Sequence, residues 1–345
     1  MNSHHVKLQG MVFVLAGLLL GTAAEARDPI RIVGSSTVFP FSTAVSERFG
    51  GTTEFATPVV ESIGSGGGLM LFCGGVGQQH PDIANASRRI EASEVELCET
   101  NGVTEIVEVK VGFDGIVIAH ATSSAQLSLT KEQVFRALAK QLPVDGELVD
   151  NPYQKWIDID PSLPDTKIEV HGPPPTSGTR DAFVELAMEG GAKSIPMLKA
   201  LKESDKGAFK AVAHAIREDG GYVEAGDANL IVQKLEANSN ALGIFGFSFL
   251  DQNADRVQGS RVEGIEPTFE TIADGSYGVS RSLYFYVKKA HVGVVPGIEE
   301  FIAEFTSDRA SGEEGYLADK GLIPLPEAER TAVRTGATQL TVLRL

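Results

Sequence analysis

An α/β fold in two domains, its sheets mainly parallel and flanked by helices, is what this sequence predicts, on three observations. Strand-like runs alternate with helix-like apolar patterns, the order that builds parallel sheets. Turns rich in glycine and hydroxyl residues stand at the junctions: Gly34-Ser35-Ser36-Thr37, Gly64-Ser65-Gly66-Gly67-Gly68, Asn85-Ala86-Ser87-Arg88 and Thr176-Ser177-Gly178-Thr179-Arg180. The chain has 345 residues, more than the roughly 250 to 300 that one hydrophobic core serves.

Taken in order, residues 1–26 read as an export signal peptide. Lys7 precedes the apolar run 11–20, and Ala24-Glu25-Ala26 is a small-x-small cleavage pattern. The run falls short of the roughly 20 apolar residues of a membrane helix, and no cysteine follows it to carry a lipid. The mature chain is therefore expected to begin near Arg27, after removal of the leader near Ala26. Ile30-Arg31-Ile32-Val33 is a strand feeding Gly34, after which Phe41, Val45 and Phe49 recur at helical spacing. Residues 57–63 repeat the strand, the glycine run repeats the turn, and Leu69, Phe72, Cys73 and Val76 form the stripe of a second helix. Asp82-Ile83-Ala84-Asn85 is a brief buried strand with Ser87 and Arg88 at its exit.

Two apolar strands, 109–119 and 282–287, bracket the middle of the chain and are expected to pass between domains. This makes the first domain discontinuous, 27–113 plus 281–345, and the second continuous, 114–280. Within the second, Thr130 and Gln133 form a capping box ahead of Val134 and Leu138. Residues 167–171 are the strand before the Thr176 turn, with Phe183, Leu186 and Ala187 on the helix after it. Residues 227–235 are an amphipathic helix, 241–250 a buried strand and turn, and 296–305 a helix with proline near its start.

Composition narrows the function. With 46 acidic against 30 basic residues and a net charge of −16, the chain lacks the basic surface that nucleic acid or anionic lipid requires. Its seven histidines are scattered without ligand spacing, so neither a metal nor another cofactor is expected. Cys73 and Cys98 fit neither a zinc knuckle nor a redox pair. In an exported protein an even pair is expected to close a bridge, with two buried free thiols as the alternative.

The four turns suit one chemistry. The first turn of a helix presents free N–H groups and the positive end of its dipole, and glycine lets an anion approach the backbone. Converging turns of this kind would make an oxyanion cage. Ser36 or Thr130 alone could be no more than a helix cap, but capping gives no reason for three successive glycines. An enzyme acting on phosphate esters stays as an alternative, although the chain has no Gly-x-Ser-x-Gly elbow, no Gly-x-x-x-x-Gly-Lys-Ser/Thr loop and no histidine–carboxylate cluster.

Five segments in order carry a resemblance: residues 32–40, the run Gly64-Ser65-Gly66-Gly67-Gly68, residues 82–88, residues 176–183, and Gly321-Leu322-Ile323-Pro324-Leu325-Pro326. The set resembles the periplasmic phosphate-binding proteins of ABC transporters and spans nearly the whole mature chain. The resemblance implies a two-lobe Venus-flytrap of the type II periplasmic class that binds inorganic phosphate between its lobes without catalysis. It further implies a periplasmic monomer that meets the membrane only through ABC permease subunits with their cytoplasmic ATPase. The implied site residues are Ser36, Thr37 and Val38 from the first turn, Ser65 from the second, Ser87 and Arg88 from the third, and Ser177, Gly178, Thr179 and Arg180 from the fourth. Ser87 stands where many members have an aspartate. Pro173-Pro174-Pro175 stands where many have an arginine, which leaves Arg180 or Arg88 as the expected counter-charge. Without the aspartate, another oxyanion such as sulfate is an alternative ligand.

Overall fold

The computed structural model describes residues 29–344, so the expected signal peptide lies outside the described residues. The chain opens with β1 (Arg31–Gly34), α1 (Phe39–Thr52), β2 (Val59–Ser62), α2 (Ser65–Phe72), β3 (Ile83–Ala86), α3 (Ala92–Thr100) and the long strand β4 (Ile106–Ala121). The middle of the chain holds β5 (Ser128–Leu129), α4 (Lys131–Leu138), β6 (Gln141–Val144), β7 (Glu147–Asp150), α5 (Trp156–Ile159), β8 (Val170–Gly172) and α6 (Gly178–Phe183). It continues through β9 (Tyr222–Glu224), β10 (Leu242–Gly246), β11 (Val257–Gly259) and β12 (Arg261–Val262) to β13 (Ser280–Lys288).

The main sheet runs β2-β1-β3-β13-β4-β10-β8-β9, with β11 also on β4. β1 is parallel to β2 and β3, and β8 is parallel to β9 and β10. β13 and β4 run antiparallel at the centre. β4 changes partner along its length: Ile106 to Gly115 face β13, and Ile116 to Ala119 face β10. One strand thus serves both halves of this two-lobe α/β architecture.

Two large apolar cores flank that switch. Val45, Phe49, Phe285, Phe301 and Phe305 belong to the first, where the Phe285 and Phe305 rings lie 4.9 Å apart. Phe135, Phe183, Phe209 and Tyr277 belong to the second. The expected stripe of α1 holds, since Phe41, Val45 and Phe49 are all buried. The stripe after the second turn ends early: α2 stops at Phe72, and Val76 is exposed. Gly74-Gly75 ends it, Gly75 taking φ +152°, a conformation that glycine supplies at little cost. Residues 241–250 divide into β10 and a short helix, Phe247–Gln252. The Thr130–Gln133 capping box is present, with Gln133 N–H donating to Thr130 Oγ1 at 3.0 Å. Cys73 and Cys98 form a disulfide that ties the end of α2 to α3.

Candidate functional site

Three of the four turns meet at Gly34. Its φ is +133°, and a side chain there would meet the Asn85 carbonyl oxygen at 2.2 Å, so only glycine fits between the first and third turns. Ser35 N–H donates to Asn85 O at 2.9 Å, and the Gly34 carbonyl accepts from Ile63 and Gly64 N–H, each at 2.9 Å. The second turn closes onto the same point. A Cβ on Gly68 would lie 2.4 Å from Gly34 Cα, which is the packing reason for glycine at position 68 in the first turns of α2. Ser65 Oγ accepts from Ser87 N–H at 3.0 Å and lies 3.1 Å from Ser87 Oγ.

The fourth turn packs on the first. A Cβ on Gly178 would sit 3.3 Å from Ser36 O and 3.6 Å from Thr37 Cα, and Ser36 Oγ donates to Asp181 Oδ2 at 2.8 Å. Ser177 caps α6, its Oγ accepting from Thr179 N–H at 3.2 Å. Ser35 Oγ accepts from Thr37 and Val38 N–H at 3.2 and 3.4 Å, so these two amides face a hydroxyl of their own turn. Beside the junction lies a cavity of about 340 Å³ whose walls include Thr37, Asp114, Ser177, Gly178, Thr179 and Lys320.

The two loop arginines are placed elsewhere. Arg88 forks onto Glu94, with N–H···O distances of 2.8 and 2.7 Å, and lies 3.6 Å from Glu91. Burial alone would raise the Glu94 carboxyl, but the Arg88 guanidinium and the Glu91 backbone N–H outweigh it and hold the carboxyl below its ordinary value. Arg180 lies over the Tyr222 ring, 4.5 Å from its centroid, and faces a second cavity of about 540 Å³. Burial pushes the Tyr222 hydroxyl up to about 12, opposed by the Arg180 charge.

Two charged residues absent from the sequence expectation stand close to the first cavity: Asp114 lines it, and Arg281 lies behind its Thr37 wall. Arg281, on β13, faces Asp114, on β4, in the strand register. Arg281 Nη2 donates to Thr37 Oγ1 at 2.5 Å and Nη1 to Glu185 Oε2 at 2.5 Å, while Nε lies 3.5 Å from Asp114 Oδ2. Asp114 Oδ2 and Arg281 Nε are buried without a hydrogen-bond partner among the described residues. Burial pushes the Asp114 carboxyl above its ordinary value, and the nearby Arg281 charge only partly offsets this. The available signal was an aspartate inside the apolar run 109–119 and an arginine at the edge of 282–287. Asp114 falls within the expected strand and Arg281 one residue before the other.

A cage of hydroxyls and helix starts with one buried guanidinium is suited to hold a compact oxyanion. A buried carboxylate oxygen beside it adds a hydrogen-bond acceptor, which selects for an anion that still carries a proton.

The family model described as PBP superfamily domain matches residues 21–309. The phosphate-binding protein PstS of Staphylococcus saprophyticus is 28% identical over 339 residues, covering 94% of this chain and 92% of the relative. The SphX protein of Synechocystis is 29% identical over 324 residues, covering 92% and 84% respectively. Among solved structures, a possible phosphate binding protein from Planctomyces limnophilus superposes with a TM-score of 0.72 at 25% identity, covering 91% of this chain and 98% of that one.

Proposed function

The chain belongs to the PBP superfamily, and on that premise we propose that it captures inorganic phosphate between its lobes and delivers it to an ABC importer. The observation that carries this reading is that the first and fourth turns line one cavity, with a buried acceptor oxygen at its wall and the second and third turns packed against the first at Gly34. Relatives named as phosphate-binding proteins match nearly the full length of both chains, which supports a binding protein rather than an enzyme.

In this reading Thr37, Ser177, Gly178 and Thr179 supply donors at the cavity wall, and Ser36, Val38, Ser65 and Ser87 stand in the turns packed beside them. Asp114, in place of an aspartate at position 87, accepts a hydrogen bond from the O–H that phosphate retains near neutral pH. The lobes divide at 27–113 plus 281–345 and 114–280, next to the point where β4 exchanges β13 for β10. Export to the periplasm, with the leader removed near Ala26, accords with the Cys73–Cys98 bridge, since disulfides persist in oxidising compartments. The partners are the permease subunits and their ATPase, met by a monomer.

Micromolar affinity corresponds to about −8.2 kcal/mol, and hydrogen bonds to a charged group contribute about 1.5–3 kcal/mol each. Several donors held in place beforehand are therefore enough. Calorimetric titration of the mature protein at fixed pH tests the reading: phosphate binds at micromolar affinity or better, and sulfate at least ~100-fold more weakly, because a built acceptor is left facing a fully ionised oxygen. Equal affinity for the two anions would sink the assignment.

A further inference from the structure

We propose that Arg281, and neither loop arginine, is the counter-charge of the bound anion, and that Glu185 competes with the anion for the same guanidinium. The inference rests on the phosphate-binding reading of the cleft and names the charge within it.

Both Nη atoms of Arg88 are held by Glu94. Arg180 is stacked on Tyr222 and lines the other cavity. Arg281 instead projects from the central strand β13, beside the position where β4 passes from one half of the sheet to the other. Two paired strands fix its backbone, and its side chain is 9% exposed, so little freedom is lost when it binds a ligand. Its Nη2 reaches Thr37 Oγ1, a wall of the 340 Å³ cavity. An anion hydrogen-bonded to Thr37 therefore meets the forked end of Arg281, the geometry that favours guanidinium over ammonium for oxyanions.

The same fork is occupied on its other arm. Glu185 Oε2 accepts from Nη1, and Asp114 lies at Nε. The two acids differ in exposure. Asp114 is 13% exposed on a central strand, whereas Glu185 is 44% exposed on the helical turn Val184–Met188 that follows α6. Like charges crowding one guanidinium disfavour one another, and the exposed carboxylate is the one that can swing into water. Glu185 thus weakens the hold on the anion while keeping Arg281 oriented.

Calorimetric titration of inorganic phosphate into the mature protein and single variants, at one pH and ionic strength, tests this. Losing a charge-assisted contact should make Arg281→Gln bind ~100-fold more weakly. Arg88→Gln and Arg180→Gln should stay within ~3-fold of the parent, as expected of screened charges. Removing the competitor in Glu185→Gln should tighten binding ~3- to 10-fold. That gain is a result that damage to the fold would not produce, so it decides the question even where Arg281→Gln folds poorly. Parent affinity in Arg281→Gln, weaker or unchanged binding in Glu185→Gln, or a ~100-fold loss in either loop-arginine variant overturns the proposal alone. A parent protein that binds no phosphate overturns it together with the functional reading.

Discussion

Replacing Gly68 by alanine should separate the two turns that meet at Gly34. The added Cβ would lie 2.4 Å from Gly34 Cα, 2.9 Å from Gly34 N and 3.1 Å from Val33 O, while ordinary contact begins at 3.4 Å. Relieving the closest contact requires a shift of about 1.0 Å, the difference between 3.4 and 2.4 Å, and every atom in the way is backbone. Overpacking of this kind costs about 1–3 kcal/mol, and the gain in helix preference of alanine over glycine offsets at most about 1 kcal/mol. With the full offset, net destabilisation of up to roughly 2 kcal/mol follows. The same shift moves Ser65 away from the first turn. Losing one charge-assisted hydrogen bond, about 1.5–3 kcal/mol, weakens phosphate binding about 10- to 100-fold. Gly66→Ala is the matched control, because its Cβ would meet only Arg88 Nη2 at 3.9 Å. It should bind phosphate like the parent and be as stable or slightly more so. Thermal melting and calorimetry on the two variants are the assays. A Gly68→Ala protein with parent affinity, or a Gly66→Ala protein that loses it, refutes the account of why the glycines are there.

Three further outcomes are expected. Cys73→Ser with Cys98→Ser should cost about 3 kcal/mol by releasing the loop between them, visible as a drop in melting temperature that reductant also produces in the parent protein. Ser177→Ala removes the cap on Thr179 N–H and should cost about 1 kcal/mol in denaturant unfolding, with weaker phosphate binding beside it. Asp114→Asn reports on the raised carboxyl. A folded-state value above the ordinary 3.8 means the unfolded chain releases that proton first, so the parent loses stability as pH rises from 3.8 through the folded-state value. The melting temperature of Asp114→Asn relative to the parent should therefore climb over that window and stay level below it. A constant difference across pH would show that Asp114 does not titrate in this way.

Much of the scaffold was legible because its signals are local. The spacing of Phe41, Val45 and Phe49 marks one face of α1, and the Thr130–Gln133 pair marks the start of α4. Where tertiary context intervened, the reading slipped. Val76 has the right spacing for α2, but Gly74-Gly75 ends the helix first, and the strand-like run 167–171 is divided, since Lys167 bridges Lys155 and β8 begins only at Val170.

The cleft divides along the same line. Each turn is a contiguous run whose hydroxyls and glycines are written in order, so the sequence by itself determined that this chain builds glycine- and hydroxyl-rich turns within a two-lobe α/β fold. Charge placement was decided by the tertiary structure. Whether Arg88, Arg180 or Arg281 reaches the cavity depends on partners far away in the chain: Glu94 draws off the first, the Tyr222 ring draws off the second, and β4 sets the third opposite Asp114. Side chains on a strand alternate faces, and β13 shifts register between Leu283 and Tyr284. Its pairing with β4, rather than its composition, therefore sets Arg281 opposite Asp114.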